Sequence, residues 1–546
     1  MGNRGLQIIL LLLTLALLVL VAVNAPVPLL LVLLLVLFLL LLWWLFGGSD
    51  EAVTEEFPNP DYPPEQFFVQ NEVVVRGSLS GVERAVAAVS QSVQIRRKDR
   101  IAFGDLDGVV RACLADCSQI DFSSFIIDLY ELDGSYEDVA AAVRAINQAV
   151  GQGSDVQAEP NWLSGHPWDP TGSPWDPTGS PWDPTGSSHA EDHYAPSEFF
   201  MKQWAFTEIG LHENVDRGRG QGVRIGVFDT SPYAADSAKS QSPLWVDAPT
   251  PLTLALAHYP VPAPGVDDFD LSSHGLFVAG LAHAVAPEAT IQLIRVLGNH
   301  NVGDMFSLNL ALFEFIRSNA AGQPGNDSLG AVINLSLGIR VPPDEAAFRL
   351  PTTVQSLRDL LRAAQCANIV VVAAAGNNSA NLPQPEPANL PANWPEIIGV
   401  ASSTQEQGRS CFSNQGDLAA PGGNGRSDDK DKPCVPANDA CKEPDCAYSV
   451  IGPVLKTDSD TGFVYWSGTS FAAPMVTGLA ALVIEKGGGR LSPQAVRRII
   501  ECGATFVSEP DLGNRIIHVA NTLARFEECA REFGIDLDSP DQQTAA

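Results

Sequence analysis

The sequence SGTSFAAP at residues 467–474 predicts a helix that begins beside a serine, Ser470. Gly468 allows a sharp entry into this helix, and Pro474 fits in a first turn, where its missing N–H costs little. Free backbone N–H groups and the positive end of the helix dipole favour a negative charge that forms beside the hydroxyl. Residues 475–483 are apolar almost all round, so we expect this helix to be buried at the centre of a domain.

Three other segments place a polar side chain at the end of a strand or at the start of a helix. Residues 222–229 predict a buried parallel strand that ends on Asp229, and residues 367–377 predict another that leads to Asn377. His274 opens a second apolar helix. Taken singly, each residue also has a structural interpretation as a cap, turn or packing residue. Together they predict one crevice, because open α/β sheets hold ligands at the carboxyl ends of their strands.

The order of aspartate, histidine and serine along the chain is that of the subtilisin triad. The surrounding motifs resemble those of the subtilisin-like serine proteases, the subtilase family, from about Gln203 to Leu523. The matching motifs are Asp229-Thr230, His274-Gly275 with Val278-Ala279-Gly280, Asn334 to Gly338, Ala374 to Asn377, Phe412 to Gly416 before Ala420-Pro421-Gly422, Gly468 to Pro474, and Leu491-Ser492-Pro493.

The resemblance implies peptide-bond hydrolysis through an acyl-enzyme. Ser470 is then the nucleophile, and His274 is the base that takes its proton and returns it to the leaving amine. Asp229 compensates the imidazolium that forms and fixes its tautomer. Asn377 donates to the oxyanion together with a backbone N–H near Ser470. No cofactor is required for this chemistry.

The sequence departs from the family at two places. The catalytic His-Gly is usually followed by Thr-His, and here Leu276 and Phe277 follow it. Ser231 stands where a glycine commonly follows the aspartate motif. Neither change removes a catalytic atom, but the first alters the surroundings of His274, and with them the substrate preference.

The resemblance also implies the walls of a substrate pocket. They are expected to be small and apolar, which permits a medium or large uncharged side chain before the cleaved bond. The candidate residues are Leu335, Ser336, Leu337, Gly338, Ala374, Ala375 and Gly376.

The N-terminus is hydrophobic in two runs, residues 6–23 and 27–46. Each run is close to the roughly 20 residues needed to span a bilayer, and Trp43-Trp44 is typical of a membrane interface. We therefore expect residues 1–48 to form a transmembrane hairpin that anchors the protein through residues 6–46. The alternative is a cleaved signal peptide followed by a buried apolar stretch.

Two signals disagree about the side of the membrane. Arg4 is the only basic residue before Arg76, and a positive N-terminus held inside would leave the rest cytoplasmic. The cluster of Cys434, Cys441 and Cys446 instead suits disulfides in an oxidising compartment, and its spacing does not match a zinc site. We expect the extracytoplasmic side, with the cytoplasmic face as the alternative.

Composition limits the possible partners. The 546 residues carry 33 Lys and Arg against 64 Asp and Glu, a net charge of −31, which argues against nucleic acid and anionic lipid. Acidic clusters at residues 428–431 and 458–460 could hold structural calcium, but no complete ligand set is readable, so no metal site is predicted.

Two further segments separate the hydrophobic N-terminus from the catalytic motifs. Residues 67–164 predict a split βαβ unit with an insertion near residues 99–118, similar to the family's inhibitory propeptide; an unrelated α/β module is the alternative. Residues 165–195 contain three copies of Pro-Trp-Asp-Pro-Thr-Gly-Ser, an extended linker whose 21 repeat residues span on the order of 65 Å.

The sequence thus predicts a subtilisin-like α/β catalytic domain over residues 196–527, built on a mostly parallel sheet, and an acidic tail over residues 528–546. We interpret the chain as a membrane-anchored serine endopeptidase that is autoprocessed, acts on proteins or peptides, and carries its own N-terminal domain as an inhibitor. The rival hypothesis is an inactive binding protein of the same fold, a pseudoprotease. Relatives that use Ser, Glu and Asp in acid are disfavoured because His274 stands in a matched motif.

Overall fold

The computed structural model describes most of the chain between residues 68 and 537. The described residues are 68–90, 93–106, 125–133, 136–151, 154–164, 197–213, 218–231, 253–256, 273–298, 303–320, 327–339, 351–379, 382, 384–424, 448–455, 461–535 and 537. The strands are β1 Phe68–Ser78, β2 Ile95–Ala102, β3 Phe125–Leu132, β4 Gln157–Ser164, β5 Val223–Asp229, β6 Thr253–Leu256, β7 Thr290–Arg295, β8 Gly303–Asp304, β9 Gly330–Leu335, β10 Ile369–Ala374, β11 Ile398–Ser403, β12 Leu418–Pro421, β13 Val450–Pro453, β14 Phe463–Trp466, β15 Thr505–Phe506 and β16 Arg515–Ile516. The α-helices are α1 Leu79–Val89, α2 Tyr136–Val150, α3 Ser197–Phe200, α4 Trp204–Glu208, α5 His274–Val285, α6 Met305–Asn319, α7 Thr352–Cys366, α8 Thr469–Lys486, α9 Pro493–Gly503, α10 Val519–Ala524 and α11 Phe526–Glu532.

The largest sheet has the strand order β15-β16-β12-β11-β10-β9-β5-β7-β6. Its neighbours run parallel from β6 through to β16, and β15 is antiparallel to β16. The prediction of a mostly parallel sheet flanked by helices is therefore confirmed. β5 pairs with β7 on one side and with β9 on the other, so the strand order reverses there, and the crevice that this reversal opens lies at the end of β5, at Asp229.

Side chains of the central strand β5 alternate between two helical layers. Val223, Ile225 and Val227 lie in the core that also contains α5 and α8. Phe228 points to the other face, where its ring lies 5.6 Å from that of Phe315 in α6. This period of two is the pattern expected of a strand covered on both faces.

The packing of α8 against α5 depends on Gly478. A Cβ at this position would lie 2.6 Å from the Cβ of Val285 and 3.0 Å from the carbonyl oxygen of Ala282. All residues of α8 from Thr469 to Ile484 are buried, as predicted from their continuous apolar sequence.

The N-terminal domain is an antiparallel sheet in the order β2-β3-β1-β4, with helices α1 and α2. Strand β3 and helix α2 are separated by a short connection, and β4 continues to Ser164. Part of the predicted insertion belongs to strand β2, whose sequence IRRKDRIA lacks the alternation of apolar and polar residues that usually indicates a strand. Its charges are paired, and Arg100 forms two hydrogen bonds of 2.6 and 2.7 Å with the buried Asp128.

The N-terminal domain contacts the catalytic domain at the first turns of two helices. The buried Glu159 accepts hydrogen bonds from the backbone N–H groups of Thr352 and Thr353 at 2.5 and 2.6 Å, which caps α7. Asn161 accepts from the N–H of Phe306 at 3.1 Å and donates to Asp304, the N-cap of α6, at 2.8 Å. Burial raises the pKa of the Glu159 carboxyl, although the threonine donors oppose this.

Strand β4 continues from the N-terminal domain onto the catalytic domain. Leu163 and Ser164 pair antiparallel with Asp304 and Gly303 of β8. The last described residues of the N-terminal domain are thus held as a strand on an edge of the catalytic domain.

The C-terminal boundary predicted at residue 527 is wrong, because it falls inside helix α11. Cys529 in this helix is fully buried and forms a disulfide with Cys502 of α9. The catalytic domain therefore includes α11, and the acidic composition at residue 528 does not mark its end.

Several predicted features lie outside the described residues. They are the hairpin at 1–48, the repeat linker at 165–195, the cysteines at 434, 441 and 446, and the acidic clusters at 428–431 and 458–460. Among the residues that the structure describes, no helix combines the length and apolarity needed to cross a membrane.

We predict that Gly478→Ala destabilises the fold by about 1–3 kcal/mol, because the added methyl group forces α8 away from α5. The loss outweighs the roughly 0.5–1 kcal/mol by which alanine favours a helix over glycine. Urea unfolding of the two proteins measures the change. Gly408→Ala is the control, since a Cβ there meets only the Thr404 hydroxyl at 3.6 Å; equal midpoints for both variants would contradict the close packing.

Candidate active site

Asp229 is the last residue of β5 and has no exposed surface. Its Oδ1 lies 2.7 Å from Nδ1 of His274 and accepts a hydrogen bond from the N–H of Thr230 at 2.6 Å. The end of the strand therefore fixes the carboxylate, and the carboxylate fixes one nitrogen of the imidazole ring.

His274 is the first residue of α5 and is also fully buried. The next residue, Gly275, must lack a side chain, because a Cβ would overlap the carbonyl oxygen of Thr230. The N–H of Gly275 donates to the Thr230 hydroxyl at 3.0 Å. The other ring nitrogen of His274, Nε2, has no hydrogen-bond partner among the described residues.

Ser470 lies in the first turn of α8, as predicted, but its hydroxyl does not bond to His274. Its Oγ donates to the carbonyl oxygen of Ser336 at 3.3 Å, and the Ser336 hydroxyl donates to the Ser470 carbonyl at 2.8 Å. Asn334 and Thr477 extend this buried network, through bonds of 3.0 Å to Ser336 and 2.9 Å between themselves. The network holds the start of α8 against the end of β9.

The entry to α8 differs from our expectation about Gly468. Its φ of 166° is extended backbone that any residue adopts, so no glycine-specific turn is required there. The N–H of Gly468 instead donates to the carbonyl of Gly422 at 2.8 Å.

Asn377 follows β10 and is oriented by the start of α8. Its Oδ1 accepts from the N–H of Thr469 at 3.0 Å, and its Nδ2 is buried without a partner in the described part of the chain. The hydroxyl of Thr469 also accepts from the N–H of Gly376, at 3.1 Å. Thr469 therefore connects the loop that carries Asn377 to helix α8. Its place inside the serine motif did not reveal this role.

The loop that carries Asn377 contains a glycine with positive φ and has an amide network behind it. Gly376 has a φ of +103°, in the region that favours glycine. Asn414 donates to the Ala375 carbonyl at 3.2 Å, and the N–H of Asn389 donates to the same carbonyl at 2.8 Å. Asn389 lies in no motif that we used, and it was missed for that reason.

The predicted pocket residues lie at the ends of β9 and β10. Leu335 and Ala374 are the last residues of these strands and are buried. Ser336 and Gly376 contact the start of α8 through the hydrogen bonds described above. Gly338 is partly exposed, and a Cβ there would approach Asn389 to 3.2 Å.

Aromatic rings surround the imidazole of His274. Trp466 lies 5.4 Å away and almost perpendicular, at 85°, and Phe471 lies 5.4 Å away at 49°. Phe277, one of the two departures after the histidine motif, packs 4.4 Å from Phe471 and 5.6 Å from Trp466. The departure therefore completes an aromatic cluster, and the bond between Asp229 and His274 is retained beside it.

Within the described ranges, no three His, Cys, Asp or Glu side chains come together as a group that could hold a metal ion. The site consists of a carboxylate-bound imidazole, a hydroxyl at a helix start and an amide with free N–H groups.

Comparison with known proteins agrees with this arrangement. The family model for subtilases, peptidase family S8, matches residues 220–531, more than half of the chain. A subtilisin-like protease of Coccidioides posadasii is 28% identical over 265 residues, which are 46% of this chain and 54% of that protein. An extracellular protease of Xanthomonas campestris is 25% identical over 332 residues, 55% of this chain and 51% of that protein. The chain spans about half the length of these relatives.

A solved structure supports the fold over a larger part of the chain. The epidermin leader peptide processing serine protease of Staphylococcus aureus covers 83% of this chain and 98% of its own, with a TM-score of 0.54 and 17% identity. From the family match over residues 220–531 and the subtilisin-like α/β fold, we conclude that this chain belongs to the subtilase family of peptidases.

Proposed function

We propose that the protein is a serine endopeptidase that uses Ser470, His274, Asp229 and Asn377. The observation that carries this proposal is the hydrogen bonding of the two imidazole nitrogens of His274. Asp229 holds Nδ1 at 2.7 Å, while the buried Nε2 has no partner among the described residues. A buried nitrogen without a partner lowers stability, so its presence calls for a functional explanation. Here Nε2 is available to accept a proton.

The reaction starts when the Ser470 hydroxyl leaves the Ser336 carbonyl. Their bond of 3.3 Å is long for O–H···O, so rotation of the side chain towards Nε2 costs little. His274 takes the proton as Oγ bonds to the substrate carbonyl carbon, and the oxyanion accepts from Nδ2 of Asn377. His274 then protonates the leaving amine as the C–N bond breaks, and water releases the acyl group by the same steps.

Packing favours this proposal over the rival hypothesis of an inactive binding protein. The rival depends on Leu276 and Phe277, which could have displaced the histidine. Leu276 is fully buried in the core, and Phe277 lies in the aromatic cluster beside an intact Asp229–His274 contact. The pocket residues named above would accept a protein or peptide with an uncharged side chain before the cut.

We predict that Ser470→Ala abolishes both peptide hydrolysis and labelling by a fluorophosphonate probe, because the hydroxyl is the only group removed. The free energy of unfolding should change little, since the lost bond to Ser336 is weak. Labelling and turnover of the purified wild type and variant measure this effect.

The matched control is Ser492→Ala. Ser492 also lies at a helix start and accepts from the N–H of Ala495 at 3.2 Å. We expect its replacement to lower the free energy of unfolding by about 1 kcal/mol and to leave labelling unchanged. Wild-type protein that takes no label would favour the pseudoprotease, and turnover by Ser470→Ala would exclude Ser470 as the nucleophile.

We further propose that the N-terminal domain inhibits the protease within the same chain until the connection is cut. Three features support this. Glu159 and Asn161 cap the helices α7 and α6, β4 continues onto the edge strand β8, and Arg76 forms an ion pair of 2.6 Å with Asp359. The linker at 165–195 follows β4 in sequence, and the last residue of β4, Ser164, pairs with Gly303 of the catalytic domain.

For this maturation, we expect wild-type protein to split between Trp162 and about Glu198, whereas Ser470→Ala stays full length. The reason is that the cut requires the protein's own nucleophile. Blots probed at both ends of the chain distinguish the outcomes. An active wild type that is never cut would make the N-terminal domain a permanent part of the enzyme.

We also propose that residues 6–46 anchor the protein in a membrane, with the catalytic domain on the extracytoplasmic side. The support for the anchor is the apolar sequence, and the support for the side is disulfide use. Cys502 and Cys529 are bonded to each other, and Cys366 and Cys411 each take part in a disulfide.

The anchor is tested by deleting residues 1–48 from Ser470→Ala, which prevents release by self-cleavage. The intact variant should remain in membranes after alkaline extraction, and the shortened one should be soluble, because the apolar runs are lost. A protease added to whole cells reports the side. Resistance of the catalytic domain until the cells are lysed would place it in the cytoplasm.

A further inference from the structure

The segment that follows the linker is bound to the hairpin β13–β14 by the side chain of Gln203. Its Nε2 donates to the carbonyl of Ile451 at 2.9 Å, and its Oε1 accepts from the N–H of the same residue at 2.9 Å. The amide thus pairs with β13 as a neighbouring strand would. Trp204 adds a bond of 2.9 Å from Nε1 to the carbonyl of Ser449.

Apolar contacts extend this attachment to the second strand of the hairpin. The ring of Phe200 lies 5.1 Å from that of Phe463 in β14 and 5.6 Å from that of Phe206. Gln203 is buried, and its two bonds to Ile451 are shielded from water, so they are hard to replace.

The same hairpin contacts the catalytic helix α5 at three successive levels. The N–H of Leu455 donates to the hydroxyl of Ser273, immediately before His274, at 3.3 Å. A Cβ on Gly452 would overlap the ring of Phe277, and a Cβ on Gly280 would overlap Pro453. The hairpin therefore fits closely along the first two turns of α5.

Strand β14 reaches the imidazole itself through Trp466. This residue pairs with Val450 across the hairpin, and its ring lies 5.4 Å from that of His274. The position of the Trp466 ring is set by the hairpin, and the position of the hairpin is set in part by Gln203.

From this chain of contacts we propose that Gln203 is a positioning residue for His274, acting through the hairpin β13–β14. The segment after the linker then helps to position His274. A cut that removed Gln203 would therefore lower activity. This inference rests on the proposed peptidase function. It adds a residue that acts more than 70 positions away from the histidine in sequence, without touching substrate.

The test replaces Gln203 with methionine, which keeps the volume of the side chain but removes both bonds to Ile451. Gln407→Met is the matched control, because Gln407 donates at 2.6 Å to Glu208 of the same segment and forms no hydrogen bond to β13 or β14 within the described part of the chain. We expect Gln203→Met to lower kcat about tenfold with KM changed by less than about twofold, and Gln407→Met to leave both unchanged.

A second readout does not depend on activity. In the full-length Ser470→Ala chain, Gln203→Met should speed amide hydrogen exchange in peptides covering β13 and β14, while peptides covering β9 and β10 keep their protection. If wild type proves inactive, the peptidase proposal fails, but this exchange still tests the connection from Gln203 to the hairpin.

Two results would overturn the inference. One is an unchanged kcat in Gln203→Met; the other is a lower kcat with unchanged exchange in the hairpin. Should Gln203→Met not fold, Trp204→Phe removes only the bond to Ser449, and we expect a smaller loss of kcat in the same direction. Full activity and unchanged hairpin exchange in that variant would also count against the inference.

Discussion

The burial of helix α8 between α5 and the parallel sheet is the constraint on which the rest of the structure depends. Because α8 is apolar almost all round, it can be stable only where other elements cover every face. Gly478 allows α5 to come within contact distance of α8. The hydrogen bonds among Thr477, Asn334 and Ser336 fix the position of α8 along β9. These contacts bring the first turns of α8 and α5 together, and those turns carry Ser470 and His274, the proposed nucleophile and base.

The N-terminal domain is held on the catalytic domain by the capping of two helices. Two helix N-termini of the catalytic domain, those of α6 and α7, have backbone N–H groups that need acceptors. Glu159 and Asn161 provide them from alternate positions of strand β4. Burial raises the pKa of Glu159 and of Asp304, the direction expected where carboxyl groups leave water for an interface.

The aromatic cluster beside His274 shows how a departure from the family pattern is accommodated. A phenylalanine at position 277 needs space, and Gly452 in β13 provides it. Trp466 and Phe471 then close around the imidazole and exclude water from it. An imidazolium that forms among these rings depends on Asp229 for its compensating charge, since the described rings offer only π-electron density.

Features that depend only on local order along the chain could be predicted before the fold was known. Buried strands follow from short β-branched runs, and α8 follows from a long apolar run. Asp229, His274 and Ser470 lie at strand ends and helix starts, which are local signals, but their roles were predicted from the resemblance of the surrounding motifs to those of the subtilases. Strand β2 was missed because its charges are compensated by partners on β1 and β3, which are distant in sequence.

Contacts between segments that are distant in sequence could be read only from the folded chain. It sets the partner of the Ser470 hydroxyl, the pairing of Cys502 with Cys529, the space at Gly452 for Phe277 and the attachment of Gln203 to Ile451. No periodicity or spacing encodes these relations, because each arises only when packing brings the two segments together. Their physical origin is the close packing of the interior, where a side chain contacts whatever the fold places beside it.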